Sequence, residues 1–251
     1  MKLGIIGMPG AGKTTVFEAL TGTGAESGKK DDARISTSDV PDERVDNLSG
    51  IYKPKKTIYA RVEYLLPGKQ DMLKDVRDCD ALIHVIRNFA VYGLKEPNPR
   101  QDFDALDQEL ILSDLVVAEK RLERLQSESK KGKKADPEEM TLVTECVKHL
   151  NEGAPLRKFP DIASAPALRG FAFLSAKPTL VLFNNEDEND GIPSAEGLTD
   201  REDCMVIRAK LEQELGQMSE DEAEEFIAEF EVSAPATDRV IGRSYQLMGL
   251  I

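Results

Sequence analysis

Gly7-Met8-Pro9-Gly10-Ala11-Gly12-Lys13-Thr14 follows directly on the apolar run Leu3-Gly4-Ile5-Ile6. The spacing is G-x-x-x-x-G-K-[ST], the pattern of a phosphate-binding loop. Glycines there let the backbone curl so that successive N–H groups point at phosphate oxygens, where a Cβ would block the approach. Lysine reaches the outer phosphates and the Ser/Thr hydroxyl can ligate Mg²⁺. A chance glycine-rich turn would need neither a strand before it nor a helix after it. Here Leu3–Ile6 supplies the strand, and Thr15, Val16, Phe17, Ala19 and Leu20 supply the helix, whose positive N-terminal end faces the anion. Pro9, Gly10, Ala11, Gly12, Lys13, Thr14 and Thr15 are therefore the expected phosphate-binding residues. Thr14 is the expected metal ligand.

Composition sets the frame around that loop. The 251 residues are 40 % apolar and 31 % charged, with a net charge of −13 and no tryptophan. No stretch approaches the ~18 consecutive apolar residues of a membrane span. The N-terminus opens straight into the first strand, which argues against a signal peptide. Cys79, Cys146 and Cys204 lie far apart with no C-x-x-C spacing, so a reduced, cytoplasmic protein without a zinc site is expected. His84 and His149 are too few to change that. The negative charge repels nucleic acid overall, so any RNA contact must be made by a local basic patch.

Three further stretches point to a sheet. Ile58–Leu66 alternates apolar and polar residues up to Pro67-Gly68, whereas Ala81–Ile86 and Thr179–Phe183 are continuous apolar runs of buried-strand type. Such runs separated by helices indicate a mainly parallel α/β sheet covered on both faces. His84 lies inside one of them and is expected to be a packed, hydrogen-bonded core residue. Thr21–Ser38 is polar and glycine-rich, either a mobile loop of the kind that holds a nucleotide switch or a solvated linker.

Between the later strands the period changes. Ile111, Leu115, Ala118, Leu122 and Leu125 form a heptad seam, and Met140, Val143, Val147 and Leu150 form its return. Two helices joined by the turn Ser127–Pro137 make an antiparallel coiled-coil arm of roughly 35 Å; a helix packed on the body is the other possibility. Lys130, Lys131, Lys133 and Lys134 at the tip either solubilise the turn or contact a phosphate backbone. Pro155–Gly170 is expected to be an irregular return. Asp200–Ile227 should hold one or two acidic helices around Gly216, Phe230–Ser233 a last strand and Arg239–Met248 a last helix. This arrangement assigns residues 1–100 and 170–251 to a nucleotide-binding domain and 101–169 to the arm.

Several quoted stretches together resemble one group, the YchF subfamily of Obg-like P-loop NTPases in the translation-factor class. They are Gly7-Met8-Pro9, Val40–Arg44, Tyr52-Lys53-Pro54-Lys55-Lys56, Asp80–Arg87, Glu109–Leu115, Glu119–Leu125, Ala176–Leu180 and Asp238–Ile241. The resemblance implies a Rossmann-like G domain interrupted by a coiled-coil arm, Mg²⁺ with GTP or ATP, and a translation- or ribosome-associated role. It also implies a C-terminal TGS domain beginning just after Gly249-Leu250-Ile251, so a truncated chain or a member without that domain is expected.

The departures from the family pattern carry information. Members have Asp-x-Ala-Gly where this chain has Leu65-Leu66-Pro67-Gly68, so leucine stands in place of the metal-anchoring aspartate and only the glycine is kept. The switch that follows is cut to Lys69-Gln70-Asp71-Met72, and no switch threonine is evident between Ala25 and Ser38. Impaired hydrolysis follows, and no catalytic residue is assigned. For the base, the family resembles an ATP binder with Asn-x-x-Glu, whereas Asn184-Asn185-Glu186-Asp187 ends in the aspartate that accepts two hydrogen bonds from guanine. That favours GTP over ATP; a plain polar loop is the bland reading. Ser233-Ala234 matches the motif whose backbone touches the base, making Asn184, Asp187, Ser233 and Ala234 the expected base-binding set. Two other functions fit the loop: a small-molecule P-loop kinase, though the arm tip offers no arginine for a lid, and a scaffold that binds nucleotide without hydrolysing it.

Overall fold

The computed structural model describes residues 1–22, 32–93, 95–131, 136–229, 236–247 and 249. In chain order they form β1 (Lys2–Ile6), α1 (Lys13–Thr21), β2 (Arg34–Asp39), α2 (Glu43–Tyr52), β3 (Arg61–Leu66), α3 (Met72–Asp75) and β4 (Ala81–Asn88). Then come α4 (Pro99–Lys130), α5 (Pro137–Asn151), α6 (Pro160–Ala163), β5 (Thr179–Asn185), β6 (Asp203–Ile207), α7 (Ala209–Leu215), α8 (Glu220–Glu229) and α9 (Ala236–Gln246). The strands make one sheet in the order β2-β3-β1-β4-β5-β6. Every pairing is parallel except the outer β2–β3 pair. This is the expected α/β architecture, a mainly parallel sheet with a long helical insertion.

Burial explains the strand compositions. All seven residues of β5 are buried, as are the first seven of β4, because helices cover both faces of these central strands. One core layer joins Leu3, Ile5, Tyr64, Ile83, Val85, Leu180 and Leu182 to Val16, Phe17 and Leu20 of α1. The opposite layer joins Ile6, Leu65 and Leu82 to Leu106 and Leu110 of α4. From β1 the chain crosses to β3 on one side and then to β4 on the other, so a crevice opens at the C-terminal ends of the strands. The phosphate loop, the segment after β3, Phe89 and the Asn184–Asp187 stretch all lie at that edge.

The heptad residues form the interface between α4 and α5. Ile111, Ala118, Leu125, Val143, Cys146 and Leu150 are buried together, with Leu115, Leu122, Met140 and Val147 packed against them. Arg121 clasps Glu139 across the pair through two bonds of 2.7 Å. The first turns of α4 belong elsewhere: Phe103, Leu106 and Leu110 pack on the sheet. At the junction Arg157 is buried between Asp107 and Glu202, at 2.7 and 3.1 Å, and buried Asp114 accepts the N–H groups of Leu174 and Ser175. Among the described residues, no helix is long and apolar enough to cross a membrane.

Two sequence expectations need correction, and one stretch holds a further element. The polar stretch Thr21–Ser38 is not loop throughout, because Arg34–Asp39 forms β2. As an edge strand it exposes every second residue and needs no apolar run, which hid it among loop residues. Asp200–Ile227 holds two helices around Gly216 as expected, α7 and α8, and opens with an unforeseen edge strand, β6. His84 is buried and stacked on Phe103, but its Nε2 has no hydrogen-bond partner. Burial drives its pKa down to about 3, so it sits in the core as a neutral ring. The proposed strand Phe230–Ser233, with Ser233 and Ala234, lies outside the described residues, as do Lys133 and Lys134 of the arm tip.

Candidate functional site

The loop between β1 and α1 is built on two positions that tolerate no side chain. At Gly7, a Cβ would stand 2.4 Å from the Val85 carbonyl oxygen of β4. At Gly12, φ is +88° and a Cβ would stand 2.2 Å from Asn184 Nδ2. Close backbone approach on one side and left-handed geometry on the other both select glycine. No side chain caps α1, so the N–H groups of its first turn are left for an outside acceptor.

Lys13 closes the curl. Its ammonium donates to the carbonyls of Gly7 at 2.8 Å and Met8 at 3.0 Å, which holds the charge inside the loop. Burial lowers its pKa from the ordinary lysine value. Release of water from the ammonium makes a phosphate a stronger partner there than it would be on an open surface. Thr14 is exposed at the mouth of the loop.

Asn184 ties the loop to the far strand. Its amide donates to the Ala11 carbonyl at 3.1 Å and accepts from Ala209 N–H at 3.1 Å, so one side chain fixes both the phosphate loop and the start of α7. Nearby, a cavity of about 370 Å³ is lined by Gly12, Thr15, Phe89, Asn184, Asp187 and Lys210, among others. Asp187 is 41 % exposed and stands 4.0 Å from the Lys210 ammonium. Glu186, also in the cavity wall, accepts the Ala90 N–H at 2.8 Å. The structure thus brings Gly12, Lys13, Thr14, Thr15, Asn184 and Asp187 around one crevice.

Sequence reasoning passed over Phe89, Lys210 and Gln213 in the cavity wall. Phe89 had a signal, an aromatic residue just beyond a buried strand on the sheet's C-terminal edge. Gln213 had none: it reaches the site because it donates to buried Glu18 of α1 at 2.5 Å, a pairing across most of the chain. Buried Glu212 in α7 accepts from Ala236 and Thr237, fastening the start of α9 beside this edge.

The segment after β3 contrasts with the loop. Leu65 is buried in apolar company with Ile6, Val76 and Leu82. The Gly68 N–H donates to Asp75 Oδ2 at 2.9 Å, so α3 folds back and satisfies it from within the chain. Met8 of the loop and Met72 of α3 pack on the same apolar cluster, placing this closed turn beside the phosphate loop. Among the described residues no cluster of three His, Cys, Asp or Glu side chains could hold a metal. The donors present fit Mg²⁺ only through the Thr14 hydroxyl together with oxygens of a bound phosphate.

No family model matches the chain. Curated relatives do. It is 30 % identical over 276 residues to "Ribosome-binding ATPase YchF" of Pasteurella multocida, which covers 99 % of this chain and 76 % of that protein. Proteins of the same name from Escherichia coli O157:H7 and Bacillus subtilis are 29 % and 26 % identical with similar coverage. Among solved structures, the Schizosaccharomyces pombe YchF GTPase superposes with a TM-score of 0.80 at 22 % identity, over 99 % of this chain and 75 % of that one. Relatives at this identity, matched along nearly the whole chain, settle the family that the loop and the arm point to: the chain belongs to the YchF family.

Proposed function

We propose that this protein binds a purine nucleoside triphosphate with Mg²⁺, favours GTP over ATP, hydrolyses it weakly, and acts in association with the ribosome in the cytoplasm. The observation that carries nucleotide binding is the uncapped first turn of α1, closed from behind by Lys13 and clamped by Asn184. In this reading Pro9–Thr15 cradle the phosphates and Thr14 contributes to the metal. Asn184 orients the loop, and its remaining Nδ2 proton faces the nucleotide. Asp187 accepts from the guanine edge, and Phe89 offers a ring to the base. Ser233 and Ala234 are kept as backbone contacts to the base. When bound, Mg²⁺ neutralises phosphate charge. Weak hydrolysis is supported by Leu65 and by the satisfied Gly68 N–H. Ribosome association is supported by the names of the curated relatives.

We also assign residues 1–100 and 170–251 to the nucleotide-binding domain and 101–169 to the arm, although the first turns of α4 are packed on the sheet. A small-molecule kinase is less well supported, since α4 and α5 bury their apolar seam against each other instead of offering a lid. Calorimetric titration with GTP, ATP, GDP and ADP, with turnover followed in parallel, tests the proposal. Lys13→Ala should weaken every nucleotide by at least about 10-fold, since a charge-assisted contact contributes ~1.5–3 kcal/mol. Unchanged affinity in that variant would overturn it.

A further inference from the structure

Helix α2 is the least buried element of the body, and its exposure is not that of an ordinary solvated helix. None of its ten residues is buried. Leu48, Ile51 and Tyr52 are spaced i, i+3 and i+4 on one face and are 55, 71 and 76 % exposed. The chain then turns at Lys53, in left-handed conformation, and runs back along the helix. Two side-chain bonds pin it there: Ser49 to Thr57 at 2.7 Å, and Tyr59 to Asp46. With Thr57 and Tyr59 facing α2, the alternating Ile58 is exposed on the side turned away from the helix. Three large apolar residues left in water on one helix face mark an interaction surface.

The charges around that surface are not balanced. Asp42 pairs with Arg44, Asp39 with Arg61 and Glu63 with Lys2; Asp46 accepts from Tyr59 and keeps its charge, but lies seven residues, about 10 Å, before Lys53. Lys53, Lys55 and Lys56 are exposed and form no ion pair among the described residues. Glu43, the other acid of α2, is at the opposite end of the helix, about 13 Å away at 1.5 Å per residue and beyond the ~8 Å Debye length at physiological salt. A chain of net charge −13 therefore carries here a local positive patch with an exposed aromatic ring at its edge.

We propose that this face binds single-stranded RNA, the lysines meeting successive phosphates and Tyr52 stacking on a base. Cations beside a free aromatic ring are the arrangement that recognises unpaired nucleotides. An apolar protein partner would use Leu48 and Ile51 but would leave three lysines unmatched. The choice of RNA over DNA rests on the ribosome association proposed above; the surface itself does not make it.

The test is fluorescence anisotropy of a labelled 12-nucleotide oligo-uridine at several salt concentrations, using the intact chain. Tyr52→Ala should weaken binding about 10-fold. Lys55→Ala with Lys56→Ala should flatten the log K against log salt slope by about 1.4, at ~0.7 for each phosphate no longer neutralised. Lys130→Ala with Lys131→Ala at the arm should change neither. These side chains are exposed, and melting curves confirm that each variant folds. Binding that survives the α2 substitutions, or a wild-type chain that ignores RNA and sediments as a dimer through this face, overturns the proposal. Co-sedimentation with ribosomes separates the two readings. Association unaffected by the α2 variants sinks this surface and leaves ribosome binding standing; oligonucleotide binding through α2 without ribosome association does the reverse.

Discussion

The phosphate loop and the segment after β3 lie side by side at the same edge of the sheet and have been treated oppositely. In the loop three positions are held by neighbours: Val85 behind Gly7, Asn184 behind Gly12, and two carbonyls around the Lys13 ammonium. After β3, Leu65 is buried in an apolar cluster, and the Gly68 N–H is satisfied by Asp75. The first arrangement leaves donors open to a ligand. The second closes them on the chain itself. On the function proposed above, a protein built this way holds a nucleotide's phosphates firmly while gaining little from the last one, and binding and sensing become separable properties.

The sharpest way to break the contrast is at Gly12. Gly12→Ala puts a Cβ into the Asn184 amide at a backbone angle that alanine resists, so the loop must open or Asn184 must release both of its partners. We expect nucleotide affinity to fall by about 1,000-fold, corresponding to ~4 kcal/mol at 1.4 kcal/mol per factor of ten. Calorimetry measures it directly. A fall of less than tenfold would mean that the loop is not held as described.

Leu65→Asp asks whether the eroded segment can be repaired by restoring a charge. The side chain faces Ile6, Val76 and Leu82, with no donor to meet a carboxylate. Burying it there should destabilise the fold by about 3 kcal/mol, within the usual range for an unpaired buried charge, without raising turnover. Urea denaturation and a phosphate-release assay read the two effects. Gain of hydrolysis would show that the surrounding segment still carries its switch function.

The same division governs how much was legible in the sequence. The loop was readable because its chemistry fixes residue types at fixed spacing, and the arm because Ile111 to Leu125 and Met140 to Leu150 keep a period that only a two-helix seam explains. Edge strand β2 escaped because Arg34–Asp39 alternates exposed and half-buried residues and lacks the apolar runs that marked β4 and β5; β6 has such a run in Cys204–Ile207, but it is only four residues long and lies among acidic residues. In the site, Asn184 was singled out by its motif, but its role as a clamp was not, since the Ala11 carbonyl and Ala209 N–H it joins are brought to it only by the β1–β4, β4–β5 and β5–β6 pairings. Asp75 gave no signal at all. Its partner Gly68 is seven residues away across a turn whose shape depends on how α3 packs against Met8 and Leu65.

That carboxylate supplies the smallest and most discriminating test. Asp75 is not needed to build the crevice: its bond is to the Gly68 N–H, and α3 keeps its own cap through Asp71, which accepts from Lys74 N–H at 3.0 Å. Asp75→Ala should therefore cost only about 1 kcal/mol of stability, the net worth of one hydrogen bond. Its effect on ligands should be uneven. A terminal phosphate approaching the turn now meets a carboxylate that repels it and an N–H already engaged; in the variant the charge is gone and the donor is free. Diphosphate affinity should stay within about twofold, while triphosphate affinity rises about fivefold, close to 1 kcal/mol on the same scale. Asp75→Asn, which removes the charge but can still accept the bond, should fall between the two. Equal gains for di- and triphosphates would place the effect on the loop as a whole and erase the contrast between the two regions; a gain confined to the triphosphate would locate the missing sensing in this one internal bond.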